Sequence, residues 1–354
     1  MRTRSLPVIK VHGGPYERGF QHGSQAGDLI RRYADVLLQA SALEGAWRGL
    51  KQADGPLGRE ALLKRALAFL PQMERFSPQL VEEVRGIADG AKVPFAEALL
   101  VNVRAEVLGV EGCTSFALGR GATADGSILA GQNLDQHPAN EALQIILHVE
   151  PDEGPALLMC SFAGLVGYAG LNSAGVAFFQ NALSTSLWRA DGIPHYFLKR
   201  VLLEQTAREG CLAAMRLAPV CSSGNYVLAD QNGILDVELA PDGYATLRPL
   251  DDVVVHTNHF LSARYAPQDV LLPGMPDSAD RLARLRALIE PERGRLTVAK
   301  MQAMLADHDN HPTSICRHQD GFVTIASMVA EPDQGRLHVA VGNPCENGYV
   351  TYSL

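Results

Sequence analysis

The chain has 354 residues, 47% of them hydrophobic and 20% charged, which is enough apolar material for a buried core and too much for wholesale disorder. With 31 Lys and Arg against 39 Asp and Glu, the net charge is −8 and no long basic run occurs. That balance argues against a nucleic-acid or anionic-membrane binder. No apolar run reaches the roughly 18 residues of a membrane helix, and no apolar segment follows Arg2, Arg4 and Lys10 as an export signal requires. Cys113, Cys160, Cys211, Cys221, Cys316 and Cys345 are irregularly spaced and form no CxxC, so reduced thiols in a cytoplasmic chain are expected.

In chain order, Val8–Gly23 reads as a short strand, a glycine-rich turn and the start of a helix. Gly23–Leu50 is a weaker helical candidate. Behind the breaker Gly55-Pro56, the residues Leu62, Leu63, Ala66, Leu67 and Leu70 recur at helical spacing. Ser77-Pro78 has the form of an N-cap, followed by Leu80, Val81, Val84, Ile87 and Ala88; Pro94 opens another helix running to about Leu108. Past residue 110 strands dominate. Runs at Ser115–Leu118, Ile128–Gly131, Ile145–Val149, Leu157–Phe162, Gly175–Phe179, Tyr226–Leu228, Val253–Val255, Val323–Ser327 and Leu337–Val341 are interrupted by helical patterns at Tyr196–Arg208, Ser278–Ile289 and Val298–Ala306. Asp125-Gly126, Asn232-Gly233, Asp242-Gly243 and Asn347-Gly348 are hairpin dipeptides. Hairpins with a few long helices predict an α+β fold, antiparallel sheets covered by helices. The division falls near residue 112, with a helical segment 1–112 before the strand-rich part 113–354.

Four short segments carry candidate chemistry. Gly112-Cys113 stands at the head of a predicted strand; a thiol attacks as thiolate and needs a base. Cutting the Gly112–Cys113 bond would create an α-amino group, pKa about 7.7–8.0, on the same residue. Glycine would also let the thiol reach the preceding carbonyl. Gln132-Asn133-Leu134-Asp135 follows the next strand, where antiparallel pairing brings it beside Cys113; read alone it is a turn. His256 and His259, with His308, Asp309 and His311, offer a possible zinc set, while Asn258 between them could instead donate to an oxyanion. Ser314 and Cys316 are possible nucleophiles without an elbow motif, and Arg317 could orient carboxylates. The glycines of Ala163–Gly175 match no phosphate-binding pattern and read as strand bends with close backbone approach.

The set GCTSF, GQNLD, LNSAGVAFFQNAL, VVHTNH and TSICR, in this order, resembles the acyl-CoA:6-aminopenicillanic acid acyltransferase (isopenicillin N acyltransferase) family of N-terminal-nucleophile (Ntn) hydrolases. GGPYERGFQHG and VEEVRGIADGA look like that family's propeptide, so the likeness spans nearly the whole chain. It implies a four-layer αββα sandwich and a precursor that cuts itself at Gly112–Cys113 into an α/β heterodimer, higher oligomers remaining open. Carried over, Cys113 is the nucleophile, Asp135 holds the freed amine, Asn258 is an oxyanion donor, Arg317 orients the cluster, and Asn181 is a further polar site residue. Related bile-salt and penicillin V hydrolases carry an arginine near the position of Gln132; glutamine there sides with the acyltransferase branch. The substrate implied is a small-molecule amide or acyl thioester, acyl-CoA included, with no cofactor, nucleic acid or membrane partner. Phe116, Tyr168, Phe178 and Phe179 are candidate pocket residues. The rival readings are a metallohydrolase on His256, His259, His308 and His311, and an unprocessed relative that only binds a ligand.

Overall fold

Glycines at four-residue spacing shape the N-terminal part. The computed structural model of the protein describes residues 2–43, 58–108 and 112–354; Gly55-Pro56, the end of the predicted Gly23–Leu50 helix and Glu111 lie outside them. Strands β1 (Arg2–Thr3) and β2 (Val8–Gly13) precede helix α1 (Pro15–Leu43), kinked at Ala26. Then come α2 (Arg59–Leu67), α3 (Leu70–Phe76), α4 (Pro78–Ala91), α5 (Phe95–Asn102) and α6 (Arg104–Leu108). Val8–Gly23 is thus the expected strand, glycine turn and helix start, with α1 opening at Pro15. Gly19 and Gly23 of α1 cross Gly86 and Gly90 of α4 so closely that a Cβ on any of them would lie 1.9–2.3 Å from partner backbone oxygen. Only hydrogen fits, and that need outweighs the low helix propensity of glycine. Ser77 does sit at the α4 N-cap, though its side chain makes no capping bond.

The strand-rich part runs β3 (Gly112–Leu118), β4 (Leu129–Gln136), β5 (Gln144–Pro151), β6 (Leu157–Phe162), β7 (Gly170–Asn172), β8 (Ala177–Ala182), α7 (His195–Leu203), α8 (Arg208–Leu217), β9 (Gly224–Asp230), β10 (Gly233–Ala240), β11 (Gly243–Leu247), β12 (Val253–His256), α9 (Asp277–Ile289), α10 (Val298–Leu305), β13 (His318–Gln319), β14 (Phe322–Glu331), β15 (Arg336–Val341), β16 (Asn347–Gly348) and β17 (Val350–Ser353). The predicted helix Tyr196–Arg208 is α7, which stops at Leu203; a second helix, α8, follows after residues 204–207. Asn232-Gly233 and Asp242-Gly243 turn hairpins, each with glycine at positive φ. Asn347-Gly348 does not: it pairs in parallel with β1 and ties the two ends of the chain together.

Two sheets result. The eight-stranded sheet has order β11-β10-β9-β8-β7-β6-β5-β2, antiparallel except that β2 runs parallel to β5. The other has order β12-β3-β4-β14-β15-β17, with β13 paired to β14. Strands β3 and β4 face β8 and β9 across a shared core, while α1, α7 and α8 cover the outside of the first sheet and α9 and α10 the outside of the second. This is an αββα sandwich. Phe116, Tyr168, Phe178 and Phe179 are all fully buried in its core, so none lines an open pocket. Residues 2–108 are not a separate lobe: β2 completes a sheet, and Glu83 of α4 bonds Arg18 and, at 2.9 Å, the buried Arg200 of α7.

Candidate active site

Strand β3 starts at the Gly112–Cys113 bond, and its pairing fixes what surrounds it. Gly112 lies across from Asp135, Cys113 from Leu134, and Ser115 from Gln132. Because side chains alternate, Cys113, Ser115, Gln132 and Leu134 face the other sheet, and Asp135 faces the layer of α9 and α10. The QNLD segment is thus buried strand, not turn: Asn133 spends both of its amide hydrogens on the carbonyls of Leu305 (2.8 Å) and Ile315 (2.9 Å). Gly112 has no left-handed backbone. A Cβ there would stand 2.7 Å from the Phe322 ring and 3.3 Å from Asp135 Cβ, so crowding, and not backbone freedom, excludes a larger residue.

The backbone of Cys113 is held on both sides. The Cys113 N–H donates to Asn258 Oδ1 (2.9 Å), and the Cys113 carbonyl accepts from Arg281 Nη1 (2.7 Å). Arg281 also donates to Asn258 Oδ1 (3.0 Å) and Thr114 Oγ1 (2.8 Å). Two donors meeting at Oδ1 settle the orientation of the Asn258 amide, whose Nδ2 donates to the Ala182 carbonyl (3.1 Å). Gln132 is oriented in the same way: its Oε1 accepts the Gln180 N–H (2.9 Å), which turns its Nε2 toward Cys113 Sγ at 3.8 Å.

Behind the bond runs a chain of buried charges. Asp277, the first residue of α9, sits where a helix N-terminus favours a carboxylate, and Arg281 follows one turn later at 2.9 Å. Arg317 also donates to Asp277 and lies 3.6 Å from Asp135 Oδ2. A bulge in β14 between Thr324 and Ala326 turns the Thr324 hydroxyl onto Asp135 Oδ1 (2.7 Å). Asp135 Oδ2, fully buried, accepts no hydrogen bond. Burial pushes the Asp135 carboxyl up from its ordinary pKa, against the pull of Arg317 and Arg281.

The structure therefore gathers Cys113, Asp135, Asn258 and Arg317. Asn181 stands one step away on β8, accepting from the Ser115 hydroxyl and donating to the His256 carbonyl (3.2 Å). Arg281, Asp277 and Thr324 escaped sequence reading. A basic residue between apolar positions of the Ser278–Ile289 helix was the available signal. Cys113 is only 1% exposed. Two surface cavities, of about 430 and 500 Å³, lie around Asp251–Arg293 and Val254–Leu261, and no residue of the Cys113 cluster lines either.

The predicted histidine metal set does not assemble. His256 directs Nε2 at Glu238 (3.1 Å) and Nδ1 at the Thr257 carbonyl (2.8 Å), so protein acceptors engage both ring nitrogens and neither is offered to a metal. Its pKa is raised by Asp236 and Glu238 against its burial. His259 is bonded through Nδ1 to Ser278 (2.8 Å). Among the described residues, His308 instead groups with Cys316, His318 and Cys345.

The chain is similar to several known proteins. The family described as acyl-coenzyme A:6-aminopenicillanic acid acyl-transferase matches residues 122–346. The 40 kDa form of acyl-coenzyme A:6-aminopenicillanic-acid-acyltransferase from Emericella nidulans is 29% identical over 98% of this chain and 96% of its own. The β-alanyl-dopamine/carcinine hydrolase of Drosophila melanogaster is 25% identical over 73% of each chain. Among solved structures, a mutant conjugated bile acid hydrolase of Clostridium perfringens aligns with 68% of this chain and 97% of its own at TM-score 0.45 and 16% identity. Penicillin V acylase of Agrobacterium tumefaciens aligns with 65% and 83% at TM-score 0.42 and 13% identity. With the family match running from the β3–β4 loop almost to the C-terminus, the chain belongs to the acyl-coenzyme A:6-aminopenicillanic acid acyl-transferase family.

Proposed function

We propose that this protein is a self-processing cysteine enzyme that cleaves or transfers an acyl group at a small-molecule amide or thioester, acyl-CoA included. One observation carries the reading. Directly across from the Gly112–Cys113 bond lies a buried carboxylate oxygen, Asp135 Oδ2, that lacks a hydrogen-bond donor. Leaving such an atom unpaired costs about 1–3 kcal/mol or more for a charged group. An ammonium freed at Cys113 would supply the missing donor.

In the processing step Cys113 Sγ attacks the Gly112 carbonyl carbon, the C–N bond breaks, and the acyl chain moves to sulfur while the α-amine takes a proton. Water then hydrolyses the thioester and leaves a carboxylate on Gly112. The 1–112 fragment remains as an α-chain beside 113–354, because β2 and the Glu83–Arg200 pair bridge the two. In turnover the α-amine accepts the thiol proton and passes it to the leaving amine, or to the leaving thiol when the substrate is a thioester. The substrate acyl group sits on Sγ. Asn258 and backbone N–H groups stabilise the oxyanion, one such donor contributing about 100- to 1000-fold in rate. Arg281 and Arg317 position Asn258 and Asp135. Water releases an acid; an amine takes the acyl group as a new amide. Asn181 holds the Ser115 and His256 backbone region beside the nucleophile.

The test is acyl trapping. The processed protein is mixed with a short-chain acyl thioester, quenched in acid and digested. The account expects the acyl mass on the peptide that begins at Cys113, and no label in Cys113→Ala. Label on another residue, or equal label in the variant, refutes it.

A further inference from the structure

A second constellation lies on the far side of Arg317. His308 follows α10, Cys316 and His318 flank Arg317, and Cys345 belongs to the turn before β16. Their ligand atoms all fall within 4.8 Å of one another. Cys316 Sγ is 3.6 Å from Cys345 Sγ and 3.5 Å from His318 Nε2; Cys345 Sγ is 3.4 Å from His318 Nε2; His308 Nε2 is 3.1 Å from His318 Nε2. A tetrahedral ion with bonds of about 2.3 Å to sulfur and 2.05 Å to nitrogen requires edges of about 3.8 Å (S–S), 3.6 Å (S–N) and 3.3 Å (N–N). These four edges fall within about 0.3 Å of their requirements, and His308 Nε2 lies within 4.8 Å of both sulfurs.

We propose that His308, Cys316, His318 and Cys345 form a structural site for a divalent zinc-class cation. Hydrogen bonding alone serves this arrangement poorly. Two imidazole Nε2 atoms face each other, so at most one proton fits between them, and two thiols meet at the same point. A cation satisfies all four lone pairs at once. The two-sulfur, two-nitrogen donor set selects zinc over magnesium or calcium. Binding displaces two thiol protons to solvent, giving two thiolates and two neutral imidazoles around the ion. Asn343 already donates toward the site, with Nδ2 3.4 Å from Cys316 Sγ and 2.8 Å from the Arg317 carbonyl, which would hold the thiolate in place. Four protein ligands close the site, so it stabilises and does not catalyse. Its ligands sit on both sides of Arg317 in sequence, so the ion would clamp the backbone that aims this arginine at Asp135 and Asp277.

The test uses untagged full-length protein, since a histidine tag would bring metal of its own. Elemental analysis after growth with zinc should find about one zinc per chain. Chelator stripping should lower Tm by several degrees, and zinc should restore it while magnesium does not. Loading the stripped, reduced protein with cobalt(II) should give the intense visible bands of a tetrahedral site and a sulfur-to-cobalt charge-transfer band. Cys345→Ser should weaken that charge-transfer band. His308→Ala, at an exposed position, should lose most zinc while remaining folded by circular dichroism. No zinc uptake by the reduced protein overturns the proposal, as does a weak octahedral cobalt spectrum. So does an intramolecular Cys316–Cys345 disulfide that, once reduced, leaves a protein blind to zinc.

Discussion

Arg281→Met tests the charge chain behind Cys113. The substitution keeps most of the side-chain volume and removes donors to the Cys113 carbonyl, Thr114 Oγ1, Asn258 Oδ1 and Asp277. Breaking a buried ion pair from one side costs about 3–5 kcal/mol. The Asp277 side chain is 12% exposed and keeps Arg317, so the lower end applies, about 3 kcal/mol. With an unfolding entropy of about 2.1 cal/mol/K per residue, a chain of 354 residues has about 0.7 kcal/mol/K, and Tm should fall by about 4 °C. Asn258 loses the cation that orients it, so processing at Gly112–Cys113 should slow at least tenfold, a misplacement of about 1 Å being worth up to 100-fold. Asp277→Asn and the double variant complete a cycle. The double variant should be more stable than the summed single losses by about 1 kcal/mol or more. Calorimetry and timed gel analysis of cleavage read both effects. Wild-type processing together with additive stabilities would refute the role given to Arg281.

Asp135→Asn should keep the fold, because Thr324 still bonds the side chain, yet cut kcat of the processed enzyme at least tenfold and move the acidic limb of its pH profile to lower pH, since the α-ammonium loses its counter-charge and gives up its proton more readily. An unchanged pH profile would separate Asp135 from the amine. Gly86→Ala drives a Cβ to 2.2 Å from the Tyr16 carbonyl at the α1–α4 crossing, and urea midpoints should report a loss of about 2 kcal/mol or more. His22 accepts the Gly164 N–H on Nε2 (3.0 Å), and burial pushes its pKa down to about 4 from an ordinary 6.5. Its contribution is therefore full above pH 6.5 and lost as pH falls toward 4, a loss of about 2 kcal/mol between pH 7 and 5. His22→Gln, measured by urea unfolding at both pH values, should remove that part of the acid sensitivity.

Much of the strand-rich part was legible because alternation and Asn-Gly or Asp-Gly turns are local signals, as Asn232-Gly233 and Asp242-Gly243 demonstrate. The motifs around Cys113, Asp135, Asn258 and Arg317 were also legible, because each is a short run of unusual residues. What failed depended on partners distant in sequence. The contact made by Gly19 and Gly23 had no local signal because the helix they press against is some 60 residues away. Asn347-Gly348 read as a hairpin because the partner, β1, is at the other terminus. Asp277 and Arg281 look like an ordinary surface pair on a helix; only the packing of α9 over β12 buries Arg281 against Cys113 and leaves Asp277 largely covered. The histidines drew attention to metal chemistry, but His256 is engaged by acceptors, and the better ligand set needed two cysteines 29 residues apart to converge.

The most direct test of self-processing is the intact mass of freshly purified protein beside Cys113→Ala. The account predicts that the wild type yields fragments of roughly 12 and 26 kDa, dividing 38.1 kDa in proportion to length, with Cys113 as the new N-terminus, while the variant stays whole. A wild type that remains at 38.1 kDa under maturing conditions would contradict it, leaving Cys113 without an α-amino base and favouring a chain that only binds its ligand.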